Sequence, residues 1–215
     1  MKMTKFSYSV SDKAAIYKVM AERRDIRHFN GSPLDKNIFK KILSAAHMAP
    51  SVGLMQPWRF IRVTDKEKRQ SIWEIVEKER QLTAEAMGEK KQTFLKLKVE
   101  GVLQCSELVV AALPDNREKH IFGRRTLPEM DLASLACAIQ NMWLAARAEG
   151  VGMGWVSLFD PEEIKTLFSM PASSHPAAVL CIGHVDAFYD KPMLVKENWA
   201  TEKTLDEFVF ENNWG

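Results

Sequence analysis

The stretch Arg23-Arg24-Asp25-Ile26-Arg27 sets three guanidinium groups around one carboxylate. Guanidinium forks grip phosphate oxygens in planar, two-pronged hydrogen bonds, so Arg23, Arg24 and Arg27 are candidate phosphate ligands. Asp25 is expected to be held ionised by these neighbours, either neutralising them or serving as a base. Arginines after a helix also answer its C-terminal dipole, and the charge pattern alone leaves that role open too. A second candidate is Ala49–Val63. Pro50 and Pro57 lack backbone donors and Gly53 is permissive, so a shaped loop must join the preceding helix to the following strand. Such a loop suits a flat ligand, and with the arginines it suggests a flat ring bearing a phosphate tail.

The glycines at 150, 152 and 154 do not form a dinucleotide fingerprint, because they follow a helix and precede a strand instead of the reverse. They either let backbone pass close to a flat ligand or cap the helix. The sequence has no glycine-rich loop ending in Lys-Ser/Thr, no histidine pair at metal-binding spacing and no Gly-x-Ser-x-Gly elbow. His47, on an otherwise apolar helix face, reads as packed or surface-facing. Cys105, Cys137 and Cys181 are far apart within apolar runs and read as reduced core thiols, which points to the cytoplasm. A net charge of +2 gives no electrostatic case for nucleic acid or a membrane surface. The N-terminal residues carry no signal-peptide pattern, and nowhere do about 18 apolar residues run together, so a soluble chain is expected. Asn30-Gly31-Ser32 reads as a plain turn.

These residues need a scaffold, and 215 residues that are 46% hydrophobic can build one. The patterns predict a single α+β domain over residues 1–215, with strands near 58–63, 108–113, 152–158 and 178–185 and helices on both sides. A helix over Ser11–Glu22 leads into the arginines. A second, announced by Asp35, carries Ile38, Ile42, Leu43 and Ala46 on one face until Pro50. Residues 65–99 are charged, with a thin apolar stripe (Ile72, Ile75, Val76, Phe94, Leu95, Leu97), and predict helices that are solvated or form a lid. Residues 117–127 read as a basic surface loop. Pro128–Gly150 predicts the central buried helix, whose alanines would admit a close neighbour from a second copy of the chain. A short helix follows Asp160. Residues 186–215 hold Phe188, Tyr189, Trp199, Phe208, Phe210 and Trp214 without a core pattern, which predicts an arm around a partner subunit.

Arg23–Phe29, Ala49–Trp58 and Gly152–Ser157 resemble the flavin-binding segments of the nitroreductase superfamily. Within it the likeness is strongest to the 5,6-dimethylbenzimidazole synthase (BluB) branch, because Asp25 stands where general nitroreductases commonly have serine. Gly123–Asp131, Gln140–Gly150 and Phe208–Gly215 resemble that branch as well, and the likeness runs from about Ala21 onward. It implies a nitroreductase-like fold, with a central mixed sheet flanked by helices and an extended C-terminal arm. It also implies a homodimer with FMN at the subunit interface, each site built from both chains.

The resemblance places Arg23, Arg24, Asp25, Arg27, Pro50, Ser51, Val52, Gly53, Met55, Leu103, Gly154, Trp155, Ser157 and Lys203 around FMN. Arg23 and Arg27 would hold its phosphate or polar edge, and Ser51 with its loop would come from the neighbouring chain. The implied reaction consumes reduced FMN and molecular oxygen. It yields 5,6-dimethylbenzimidazole, the lower ligand of cobalamin, and releases erythrose 4-phosphate from the ribityl tail. Asp25 would be the base that removes a carbon-bound proton, and Ser157 would hydrogen-bond near the reactive ring edge. Residues 70–100 or 123–130 would cover the site, and a separate flavin reductase would supply reduced FMN. Two departures stand out: Thr201-Glu202-Lys203 replaces an expected arginine near Trp199, so that a phosphate contact is either missing or supplied by Lys203, and Ala133 replaces a tyrosine. They leave open an NAD(P)H-dependent FMN nitroreductase or flavin reductase, or a flavin-binding module without turnover.

Overall fold

Helix starts follow the capping chemistry written in the sequence. In the computed structural model, which describes residues 6–96 and 101–214, Ser9 caps α1 (Val10–Glu22) by accepting from the Asp12 N–H at 3.1 Å. Asp35 caps α2 (Lys36–His47) through Asn37 and Ile38, and Asp65 caps α3 (Lys66–Ala86) through Lys68. The shorter α4 (Lys91–Leu95) and α5 (Gly101–Gln104) follow; Leu97 of the expected apolar stripe lies outside the described residues. The long α6 (Met130–Ala148) ends at Gly150, whose φ of +72° favours glycine. Asp160 caps α7 (Pro161–Leu167), and α8 (Met193–Lys196) lies in the C-terminal arm.

Strands β1 (Arg59–Arg62), β2 (Glu107–Leu113), β3 (Gly152–Val156) and β4 (His175–Gly183) form one sheet in the order β1-β2-β4-β3. All three pairings are antiparallel, with Phe60 opposite Ala111, Val110 opposite Val179 and Met153 opposite Ile182. The mixed character expected of the sheet rests on a single parallel bridge, Asp25 to Met153. Every residue of β2 is buried, which explains its unbroken apolar run: both faces are covered. Alternation along the strand assigns the faces. Val109, Ala111 and Leu113 join Phe39 and Ile42 of α2 and Leu135, Ile139 and Met142 of α6 in one cluster. Leu108 and Val110 join Ile26, Ile72, Val76 and Ile164 in the other.

Three expectations are corrected or refined. Cys105 and Cys181 are buried free thiols, but Cys137 is exposed, on a face of α6 shared with Leu132, Ala133 and Gln140. The stretch 117–127 is not surface throughout: Arg124 and Arg117 fold inward onto the buried carboxylate of Asp131, at 2.8 and 3.2 Å. The arm is not wholly without anchorage, because Phe188 and Tyr189 pack on the second cluster and Trp199 lies against Phe94. Beyond Trp199 it is open, with Phe208, Phe210 and Trp214 exposed, and α1 contributes no buried residue at all. Among the described residues no helix is long and apolar enough to cross a membrane.

Candidate active site

Helix α1 stops at Arg23, whose extended backbone turns the chain alongside β3. There Ile26 donates its N–H to the Met153 carbonyl at 3.0 Å. So close a passage needs glycine. A Cβ on Gly154 would sit 2.2 Å from the Ile26 carbonyl oxygen, and one on Gly152 would sit 2.6 Å from Val185. The two readings of the glycine run therefore divide: Gly150 caps α6, whereas Gly152 and Gly154 admit other parts of the chain itself.

The result is a fixed seat for Asp25. Its carboxylate accepts the Trp155 N–H at 3.0 Å and lies 3.5 Å from Arg27 Nε. The side chain keeps 36% of its exposure, but protein crowds the carboxyl group on its other sides. Its pKa is consequently raised, because desolvation outweighs the Trp155 N–H and the Arg27 charge that pull it down. The expectation that neighbouring arginines hold Asp25 in its ionised form is thus corrected: burial dominates.

The arginines differ in role. Arg24 donates to the carbonyls of Ala21, Arg23 and Asp190 at 2.6, 2.8 and 2.9 Å, so it does answer the end of α1. Arg23 lies over the Trp143 ring at 4.6 Å, its pKa lowered chiefly by burial against the opposing pull of Asp25. Its guanidinium makes no hydrogen bond with another described residue, leaving donors for a ligand. Trp143 lies within the Pro128–Gly150 stretch that the sequence marks only as a buried helix. Its Nε1–H reaches both Met153 O (2.9 Å) and Arg24 O (3.1 Å), tying α6 to the two segments that flank Asp25. The available signal was a polar indole N–H inside an aliphatic helix face, which demands a partner.

Two cavities meet here. One, of about 150 Å³, is lined by Asp25, Arg27, Gly154, Trp155, Ser157 and Cys181, among others. The second, of about 360 Å³, is lined by Arg23, Arg24, Asp25, Arg27, Leu194 and Glu202, among others. Asp25 and Arg27 belong to both. A small cavity lined by β3 backbone, sharing Asp25 and Arg27 with a cationic one, suits a planar ring with an anionic tail.

The remaining predicted residues lie elsewhere. Pro50, Ser51, Val52, Gly53 and Met55 line neither cavity; Val52 donates to Ser134 Oγ at 3.0 Å, holding the loop on α6. Leu103 lines a third cavity, of about 590 Å³, with Phe29, Arg69 and Ser106. Lys203 lies over Phe208 at 5.9 Å, while its neighbour Glu202 faces the arginine cavity.

Residues 20–184 match the model of the nitroreductase family. The chain belongs to that family. This nitroreductase-family member is an enzyme of oxidoreductase type. It is 36% identical over 183 residues to a 5,6-dimethylbenzimidazole synthase of Rhodospirillum rubrum, covering 84% of this chain and 87% of that one. It is 26% identical to a putative NADH dehydrogenase/NAD(P)H nitroreductase of Archaeoglobus fulgidus, covering 78% and 83%. Oxidised iodotyrosine deiodinase, in a crystal structure bound to FMN and 3-iodo-L-tyrosine, shares the nitroreductase fold at a TM-score of 0.71 and 19% identity, covering 93% of this chain and all of that one.

Proposed function

We propose that the protein converts reduced FMN, with molecular oxygen, to 5,6-dimethylbenzimidazole and releases erythrose 4-phosphate. The observation that carries this reading is Asp25, a carboxyl group of raised proton affinity at the join of a ring-sized cavity and an arginine-lined one. The similarity to a dimethylbenzimidazole synthase over most of both chains supports it.

In this reading Arg23 and Arg27 hold the phosphate, and the backbone of Gly154 and Trp155 forms the floor beneath the ring. Bound reduced FMN supplies electrons to oxygen and its own carbons to the product. Asp25 accepts a proton from a ribityl carbon, and its raised pKa improves its strength as a base while the Trp155 N–H fixes its orientation. Ser157, at the end of β3, offers its hydroxyl to the ring edge. We place residues 1–215 in one domain and assign the loop 50–55 of each site to a second copy. The arm from about residue 186 embraces that copy. The apolar surface of α1 and of the arm beyond Trp199 supports such an assembly. We assign the cover that excludes water to residues 70–100 or 123–130.

The deciding experiment is incubation with chemically reduced FMN in air, followed by mass spectrometry. Dimethylbenzimidazole should form with the parent chain and not with Asp25→Asn. Rapid NAD(P)H oxidation with intact flavin and no such product would instead establish a nitroreductase or flavin reductase, the reading favoured by the Archaeoglobus relative.

A further inference from the structure

We propose that Glu202 weakens the hold of the arginine cavity on the phosphate dianion of FMN. The inference rests on the flavin reading above and concerns the tail end of the same site.

Five charged side chains line that cavity: Arg23, Arg24, Arg27, Asp25 and Glu202. With both acids ionised, one net positive charge faces a phosphomonoester that carries about −1.5 to −2 at neutral pH. Arg24 is already committed to three carbonyl oxygens. Arg27 shares its charge with Asp25, which leaves Arg23 as the freest cation. Glu202 makes no hydrogen bond or ion pair with another described residue. The backbone shortly before it is anchored, the Trp199 and Ala200 N–H groups both donating to Leu194 O, at 2.8 and 3.2 Å. Lys203, which could offset it, does not line the cavity. A carboxylate on the wall of that cavity repels the incoming dianion, and does so more in low salt.

Riboflavin separates this effect from any general disturbance, because it has the ring and ribityl chain of FMN but no phosphate. Binding of oxidised FMN and of riboflavin to the parent chain and to Glu202→Gln is measured by fluorescence titration, in low salt and in about 0.5 M salt. The substitution should tighten FMN about three- to tenfold in low salt, leave riboflavin within about twofold, and lose most of its effect in high salt. Equal changes for both flavins, or none for FMN, would overturn the proposal. If the parent chain binds neither flavin, the flavin reading itself fails and this proposal falls with it.

Discussion

Asp25 takes up a proton more readily in the folded chain than in the unfolded one, and this has a pH signature. A carboxyl group whose folded pKa is raised contributes stability in full below its unfolded pKa, near 3.9, and loses that contribution as pH rises through the folded value. Asp25→Asn removes this loss and keeps an acceptor for the Trp155 N–H. Urea unfolding at pH 7 should therefore find the variant more stable than the parent, with the gain fading below about pH 4. Trp143→Phe tests the other side of the seat. It keeps a ring beneath Arg23 but deprives the Arg24 carbonyl of its indole donor, which should destabilise the fold by about 1–3 kcal/mol. Turnover should fall with little change in flavin affinity, and the acid limb of its pH profile should move; an unmoved profile would make Trp143 purely structural. The identity of Asp25 was legible in the sequence. Its protonation behaviour was not, because charge neighbours are visible in a string of letters whereas desolvation depends on how Gly154 and β3 close around the carboxylate.

The elements most legible in the sequence were those decided by local chemistry: the capping aspartates of α2 and α7, the glycine that ends α6, and the unbroken apolar runs of β2 and β4. Less legible were contacts between distant segments. Arg117 and Arg124 look like loop residues until Asp131, on the first turn of α6, is seen to bind both. The glycines of β3 likewise declare freedom but not what they make room for. Gly154→Ala should be costly, since its methyl would meet a backbone carbonyl that cannot move without shifting Asp25. We expect a loss of about 1–3 kcal/mol in urea unfolding and an accompanying loss of flavin affinity. A variant of unchanged stability would show that the Asp25–Ile26 segment yields easily.

At the scale of the whole molecule, one chain brings together only part of the predicted site. Asp25, Arg27, Gly154, Trp155 and Ser157 meet at the small cavity, while the loop 50–55 is held on α6. The sequence carried both halves as motifs; in the proposed reading their joining belongs to an assembly, whose symmetry no single-chain pattern encodes. The intact chain should sediment at twice its 24.5 kDa mass. A chain ending at Lys203 lacks Phe208, Phe210 and Trp214, which are exposed and outside both main clusters. It should keep its thermal unfolding cooperative while its dimer dissociates at least tenfold more readily in analytical ultracentrifugation. An intact chain that sediments as a single copy would refute the shared site. The bridge between Asp25 and Met153 has a further effect on the fate of the molecule. β3 ends the strand order, and its outward backbone groups would otherwise offer a template to any passing polypeptide. Because the arginine segment lies along that border, the residues proposed to hold the ligand also shield the sheet edge, and their loss should show as a greater tendency to precipitate.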